Sequence, residues 1–283
     1  MHLRDLYQLG KKNMRLHLIE NPALEASILL SKSSAIEDVS EIYAHPEKEL
    51  DQVKVDEFNR LLERRIKNEP IAYITGEKEF YSRAFSVSRD VLIPRPETEL
   101  LVEEALGTIA DIGDPAILDV GTGSGCIAVT ISCEKPGSRV FAADISGGAL
   151  SLARANAERH GAGSGMFFVL GSLAEPFRDE SFDVLVSNPP YIPEAEFENL
   201  APDVRDYEPR SSLIGGEDGL YFIRKIISGA KRVLKSGGWC LLEIGVGQSP
   251  EVIKLFEEAS FNNISCVRDI NDIERLVKAQ WKK

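Results

Sequence analysis

Cysteine is scarce: Cys126, Cys133, Cys240 and Cys266 stand far apart, with no C-x-x-C pair and no histidine at metal-ligand spacing. Neither a zinc site nor a disulfide framework is indicated, no metal is expected, and reduced thiols fit a cytoplasmic protein. Long apolar runs are also missing. None approaches the roughly 18 residues of a membrane span, and the start, Met1-His2-Leu3-Arg4-Asp5, lacks the apolar core of a signal peptide. The expectation is a soluble, cytoplasmic chain with no membrane partner. Positive charge is in deficit, with 33 Lys and Arg against 45 Asp and Glu and a net charge of −12. That balance argues against stable nucleic-acid binding, which rests on cations that neutralise phosphates. There is no internal repeat or low-complexity segment, and Lys282-Lys283 reads as a solvated tail.

What is present suffices for two cores: 283 residues, 43% of them hydrophobic, suit one ordinary domain and a small one. Residues 1–75 read as short helices, since Asn21-Pro22 is a cap followed by an N1 proline and Val55, Phe58, Leu61, Leu62 and Ile66 recur at helical spacing. From Ile71 to Pro96 the residues change to Gly76, Phe80, Tyr81, Phe85, Val87 and Val91, which predicts a hairpin or extended linker, placed at 76–96. Residues 97–283 alternate helices with short apolar strands at 116–120, 139–143, 166–170, 182–186 and 239–244. The expected fold is therefore α/β, a doubly wound and mostly parallel sheet. The segments 261–267 and 273–281 have no crossover helix between them and predict a final antiparallel hairpin.

Chemistry gathers at three strand ends. Asp119-Val120-Gly121-Thr122-Gly123-Ser124-Gly125-Cys126 places glycines between a buried strand and an apolar helix, where a ligand can approach backbone and the helix N-terminus can face an anion. A merely structural turn is the bland alternative. The G-x-G-x-G spacing departs from the dinucleotide fingerprint G-x-G-x-x-G and resembles the first motif of class I methyltransferases. About twenty residues on, Asp144 ends the second strand, where a carboxylate can accept both hydroxyls of a ribose. A helix N-cap role for Asp144 or Ser146 is the alternative there.

The third end is Ser187-Asn188-Pro189-Pro190-Tyr191. Two prolines stiffen the turn and donate no hydrogen bonds. The Asn188 side-chain oxygen and the Pro189 carbonyl can then act as paired acceptors for the two N–H groups of a substrate –NH2. Holding both hydrogens aims a poorly nucleophilic nitrogen at a methyl sulfonium, and Tyr191 supplies a flat wall with cation–π attraction. A plain strand-ending turn is the alternative. The motif leaves three planar nitrogens open: adenine N6, cytosine N4 and a glutamine side chain.

The whole chain resembles the release factor glutamine methyltransferases. The resemblance rests on Pro70 to Glu77, Val91 to Glu99 with its Arg95-Pro96-Glu97-Thr98-Glu99, the turn from Gly121 to Cys126, Ser187 to Ile192, Glu208-Pro209 and Gly215 to Leu220. It implies a seven-stranded class I sheet behind a small helical domain, S-adenosylmethionine as cofactor, and class 1 peptide-release factors as partners. The methyl acceptor it implies is the glutamine N5 of their Gly-Gly-Gln loop. It further implies cofactor contacts at Gly121, Thr122, Gly123, Ser124, Gly125, Asp144, Leu173 and Asn188, with catalysis by Asn188, Pro189 and Tyr191. Substrate contacts would come from Asn188, Pro189, Pro190 and Tyr191, and the helical domain would help grip the release factor. Many relatives carry an acidic–aromatic pair where this chain has Gly171-Ser172-Leu173, and a glycine where it has Asp269 to Arg275. An adenine-N6 methyltransferase of DNA or RNA is the rival reading, opposed by charge and by the lack of a basic, aromatic-rich target-recognition region. A non-enzymatic binding protein on the same fold is a second rival, opposed by the intact Asn188–Tyr191 turn.

Overall fold

The computed structural model describes residues 1–34 and 40–283. The chain opens with helices α1 (Leu3–Leu16), α2 (Pro22–Ser34), α3 (Glu41–Ala44), α4 (Gln52–Ile66) and α5 (Ile71–Thr75). Pro22 stands at the first position of α2, and the Asn21 carbonyl accepts the Glu25 amide. Asp51 caps α4 by accepting the Lys54 amide at 2.9 Å, so one otherwise unpaired donor of the first turn is satisfied. The expected stripe is buried: Val55, Phe58, Leu61 and Leu62 join Leu3, Leu6 and Met14 of α1 and Leu29 and Leu30 of α2 in one apolar cluster. This core belongs to a unit made of residues 1–76 and 201–207; residues 77–200 and 208–283 form the second unit. The short helix Pro202–Arg205 lies in the first.

The second unit begins with a hairpin, β1 (Glu77–Phe80) and β2 (Arg83–Ser86), whose two turn residues Tyr81 and Ser82 have φ of 50° and 56°. Such left-handed positions favour Gly or Asn, and other residues there cost roughly 1–3 kcal/mol each. The turn is held by Glu99, which accepts the Tyr81 amide at 2.8 Å, and by burial of Phe80 and Phe85.

The rest of the chain runs α6 (Glu99–Thr108), β3 (Ala116–Val120), α7 (Cys126–Glu134), β4 (Arg139–Asp144), α8 (Gly147–Arg159), β5 (Met166–Leu170), β6 (Phe182–Ser187), α9 (Pro202–Arg205), α10 (Tyr221–Val233), β7 (Leu234–Glu243), α11 (Ser249–Glu258), β8 (Asn262–Arg268) and β9 (Glu274–Gln280). Among the described residues, seven of these strands form one sheet in the order β5-β4-β3-β6-β7-β9-β8. The first five are mutually parallel, while β9 pairs antiparallel with both β7 and β8, the expected terminal hairpin. One strand begins earlier than its apolar residues imply: β7 starts at Leu234 and carries Lys235-Ser236-Gly237-Gly238 before Trp239.

Alternation explains the layers. In β3, Ala116, Leu118 and Val120 face the cluster with Ile223, Ile226 and Ile227 of α10 and Val252 and Phe256 of α11, whereas Ile117 faces Leu101, Val102 and Ala105 of α6 and Ile127 and Val129 of α7. A strand covered on both faces reads as a continuous apolar run, and all five residues of β3 are buried. Each fully buried Leu, Ile or Phe contributes roughly 1.5–3 kcal/mol. The result is the doubly wound class I methyltransferase sheet.

The glycine turn and α8 lock together at Gly125, which has φ of 80° and whose missing Cβ would lie 2.9 Å from the Cβ of Ala153. Gly125→Ala is expected to combine left-handed strain with overpacking and to destabilise the protein by roughly 2–4 kcal/mol. Urea denaturation checks this; an unchanged midpoint and slope would refute the close α7–α8 contact.

Candidate active site

The carboxyl ends of β3, β4, β5 and β6 open into one cavity of about 340 Å³. This is where open α/β sheets bind ligands. Of the residues expected to act, Gly121, Thr122, Gly123, Ser124, Asp144, Leu173, Asn188, Pro189 and Pro190 line it together. Gly125 does not, being committed to the helix contact. Tyr191 lines the adjoining groove of about 760 Å³ with Gly245 and Gln248.

The glycine turn is built on Ala143, whose carbonyl accepts the amides of Gly121 (2.8 Å) and Thr122 (3.0 Å). Asn156, fully buried on α8, accepts the Ser86 amide and donates to the carbonyls of Ser86 and Ser124. One amide side chain thus ties the hairpin to the turn. Asp144 accepts the Gly123 amide at 3.0 Å through Oδ2 and the Ser146 amide at 2.9 Å through Oδ1. Two amides fix the carboxylate, and each oxygen keeps a second lone pair for a ligand hydroxyl. The capping of α8 falls to Ser146, whose hydroxyl accepts the Ala149 amide. Asp144 is therefore released from the N-cap role that the sequence left open. Ile145 beside it is 76% exposed at the cavity edge.

The Asn-Pro-Pro-Tyr turn is clamped from outside. Ile192 and Ile214 bridge in parallel, with the Gly215 amide donating to the Ile192 carbonyl at 2.9 Å. A Cβ on Gly219 would collide with the Tyr191 carbonyl, so only glycine admits this approach. Gln248 Nε2 donates to that same carbonyl at 3.0 Å. Glu208, buried, accepts from Arg95 Nη2 at 2.5 Å and from the Ile93 amide at 3.1 Å, which holds the Val91–Arg95 wall of the cavity.

Five functional candidates receive no individual role from the sequence: Asp119, Glu243, Thr98, Arg95 and Glu208. Arg95, Thr98 and Glu208 lie in segments that carry the resemblance, and the other two have a local signal of their own. Leu118-Asp119-Val120 and Leu242-Glu243-Ile244 each set a carboxylate among apolar residues at a strand end, as Ala143-Asp144-Ile145 does. Asp119 is wholly buried, its Oδ2 accepts from the Thr122 hydroxyl at 2.7 Å, and its Oδ1 has no partner. Burial pushes its carboxyl up to about 7, with the Asp144 charge adding to the rise and the Thr122 hydrogen bond opposing it. Burial likewise raises Glu243 to about 7 and the Tyr191 phenol to about 12. Tyr191 thus stays protonated near neutrality and is no base.

Among the described residues, no helix is long and apolar enough to cross a membrane. Residues 5–76 match the family described as the PrmC N-terminal domain, and residues 96–202 the family described as the methyltransferase small domain. A release factor glutamine methyltransferase of Geobacter sulfurreducens is 44% identical over 259 residues, 92% of this chain and 89% of its own. Another, from Nitratidesulfovibrio vulgaris, is 38% identical over 281 residues, 98% of this chain and 95% of its own. A methyltransferase structure from Pyrococcus furiosus shares the fold with a TM-score of 0.55 at 18% identity, over 80% of this chain and 99% of that one. With identity at this level spread over nearly the full length of both chains, the protein belongs to the release factor glutamine methyltransferase family.

Proposed function

We propose that the protein transfers a methyl group from S-adenosylmethionine to the side-chain nitrogen N5 of the glutamine in the Gly-Gly-Gln loop of class 1 peptide-release factors. The observation that carries the reading is that Asn188, Pro189 and Pro190 share one cavity with Asp144 and the glycine turn. S-adenosylmethionine, when bound, supplies a methyl group on an electrophilic sulfonium. The donor and acceptor set suits that molecule. Asp144, doubly held by backbone amides, offers lone pairs to a ribose. Ile145, Leu173 and Phe222 give the base an apolar surround. Gly121 to Ser124 and Asn188 complete the proposed cofactor set.

Asn188 and Pro189 do the chemical positioning in this scheme. An amide nitrogen shares its lone pair with its carbonyl and is a weak nucleophile. Two acceptors holding its two hydrogens fix the nitrogen's direction and favour the positive charge that grows on it. Pro190 keeps the turn rigid, and Tyr191 turns its aromatic ring to the adjoining groove. A cytoplasmic setting accompanies this substrate, since release factors belong to translation.

The reading also assigns the helical segment 1–75 a gripping role, with 76–96 as linker and 97–283 as the methyltransferase domain. A single glutamine side chain carries too little surface to mark one protein among many, so selectivity needs contacts away from the nitrogen.

Asp144→Ala is expected to remove a charge-assisted contact of roughly 1.5–3 kcal/mol, weakening S-adenosylhomocysteine binding about tenfold to 150-fold in calorimetric titration. Unchanged affinity would take Asp144 out of the site. Asn188→Ala should lower the single-turnover rate at saturating cofactor and release factor far more than it weakens release-factor binding; a rate near wild type would sink the mechanism. Deleting residues 1–76 should preserve S-adenosylhomocysteine binding, measured first, and raise KM for intact release factor, because contacts made equally in ground and transition states set KM. An unchanged KM in a cofactor-binding deletion would move recognition to the catalytic unit.

A further inference from the structure

Asparagine is ambiguous as an acceptor. Its carboxamide presents oxygen one way round and NH2 the other, in nearly the same shape. Facing a substrate –NH2 with its own NH2 would oppose donor to donor. Something must decide the orientation, and the residues behind Asn188 do so. Asn188 Nδ2 lies 3.1 Å from Thr98 Oγ1, and Thr98 Oγ1 lies 2.7 Å from Glu243 Oε2. Thr98 and Glu243 are 2% and 3% exposed, so water does not compete for these groups.

A threonine hydroxyl carries one proton, and an ionised carboxylate can only accept. The Thr98 proton therefore points to Glu243, its oxygen can only accept from Asn188 Nδ2, and Asn188 Oδ1 is left at the opposite end. We propose that Glu243 and Thr98 form a directional relay that fixes the Asn188 carboxamide with its oxygen toward the substrate nitrogen, making both of them positioning residues for methyl transfer. The relay rests on the reading of Asn188 as a substrate acceptor.

Protonation removes that constraint. A neutral Glu243 has a proton to donate as well as oxygens to accept, so the Thr98 proton is free to turn to Asn188, and the carboxamide then meets it by swinging Oδ1 inward and NH2 outward. The groups around Glu243 set where this occurs. Burial raises its carboxyl to about 7, with Thr98 lowering it, Glu97 raising it, and Arg275 and Arg95 lowering it. Tyr191 and Cys126 also feel the Glu243 charge, and burial keeps both protonated. Arg275 is shared with Asp269, 3.1 Å away. The sign follows: above the Glu243 midpoint the relay points the productive way, and below it the direction is lost.

Kinetics of the full chain with intact release factor and labelled S-adenosylmethionine test this. Thr98→Val, which keeps shape and deletes the hydroxyl, is expected to lower kcat roughly 10- to 100-fold, the loss of one buried hydrogen bond, with KM for release factor and S-adenosylhomocysteine affinity held. Thr98→Ser restores the hydroxyl and is expected to keep the wild-type rate. Wild-type kcat is expected to fall on the acid side with a midpoint near the Glu243 value of about 7, and Glu243→Gln, which cannot titrate, to lose that fall. A merely structural role would leave the pH profile of Glu243→Gln like that of wild type, and this outcome, or a Thr98→Val enzyme with unaltered kcat, overturns the relay. If Asn188→Ala is inactive while Thr98→Val is unimpaired, the relay alone is wrong; if Asn188→Ala is fully active, the acceptor reading beneath it is wrong.

Discussion

A carboxylate placed at the end of a buried strand loses its water and must be repaid by hydrogen bonds and neighbouring charge. The catalytic unit has two buried groups of this kind, Asp119 on β3 and Glu243 on β7, beside the half-buried Asp144 on β4, and much of the surrounding structure answers to the three. Asp144 draws the Gly123 and Ser146 amides, which sets the shape of the glycine turn. Asp119 draws the Thr122 hydroxyl from the same turn. Glu243 draws Thr98, and Thr98 in turn meets Asn188. The cavity wall is thus a set of backbone and side-chain donors ordered by buried negative charge.

The same constraint explains why close backbone approach recurs. Glycine at 125 brings α7 against α8, so that Asn156 reaches the carbonyls of Ser86 and Ser124. Glycine at 219 lets the 213–220 segment press on the Asn-Pro-Pro-Tyr turn, which has few amides of its own to secure it. Rigidity there is supplied from neighbours: Gln248 on the Tyr191 carbonyl and Glu208 on the Val91–Arg95 wall. A turn that aims an amide nitrogen needs this support, because small misplacement of reacting groups costs rate steeply.

The hydrophobic pattern by itself determined the α/β architecture, the strands at 116–120 and 166–170, the one at 182–186 to within a residue of its end, the terminal hairpin and the helical start, since burial on one or both faces imposes a period that composition cannot hide. It also marked the three strand-end motifs, because glycine, proline and a lone carboxylate in an apolar setting are locally unusual. Only the tertiary structure decided what those motifs do to one another. That Ser146 rather than Asp144 caps α8, that Gly125 serves packing, and that Tyr191 lines the adjoining groove are outcomes of local geometry which spacing alone left open. The partnership of Thr98, Asn188 and Glu243 joins residues 90 and 145 positions apart. No periodicity encodes such a contact: it arises where β6, β7 and the segment before α6 converge, and sequence order carries no record of which side chains a fold brings within hydrogen-bond reach.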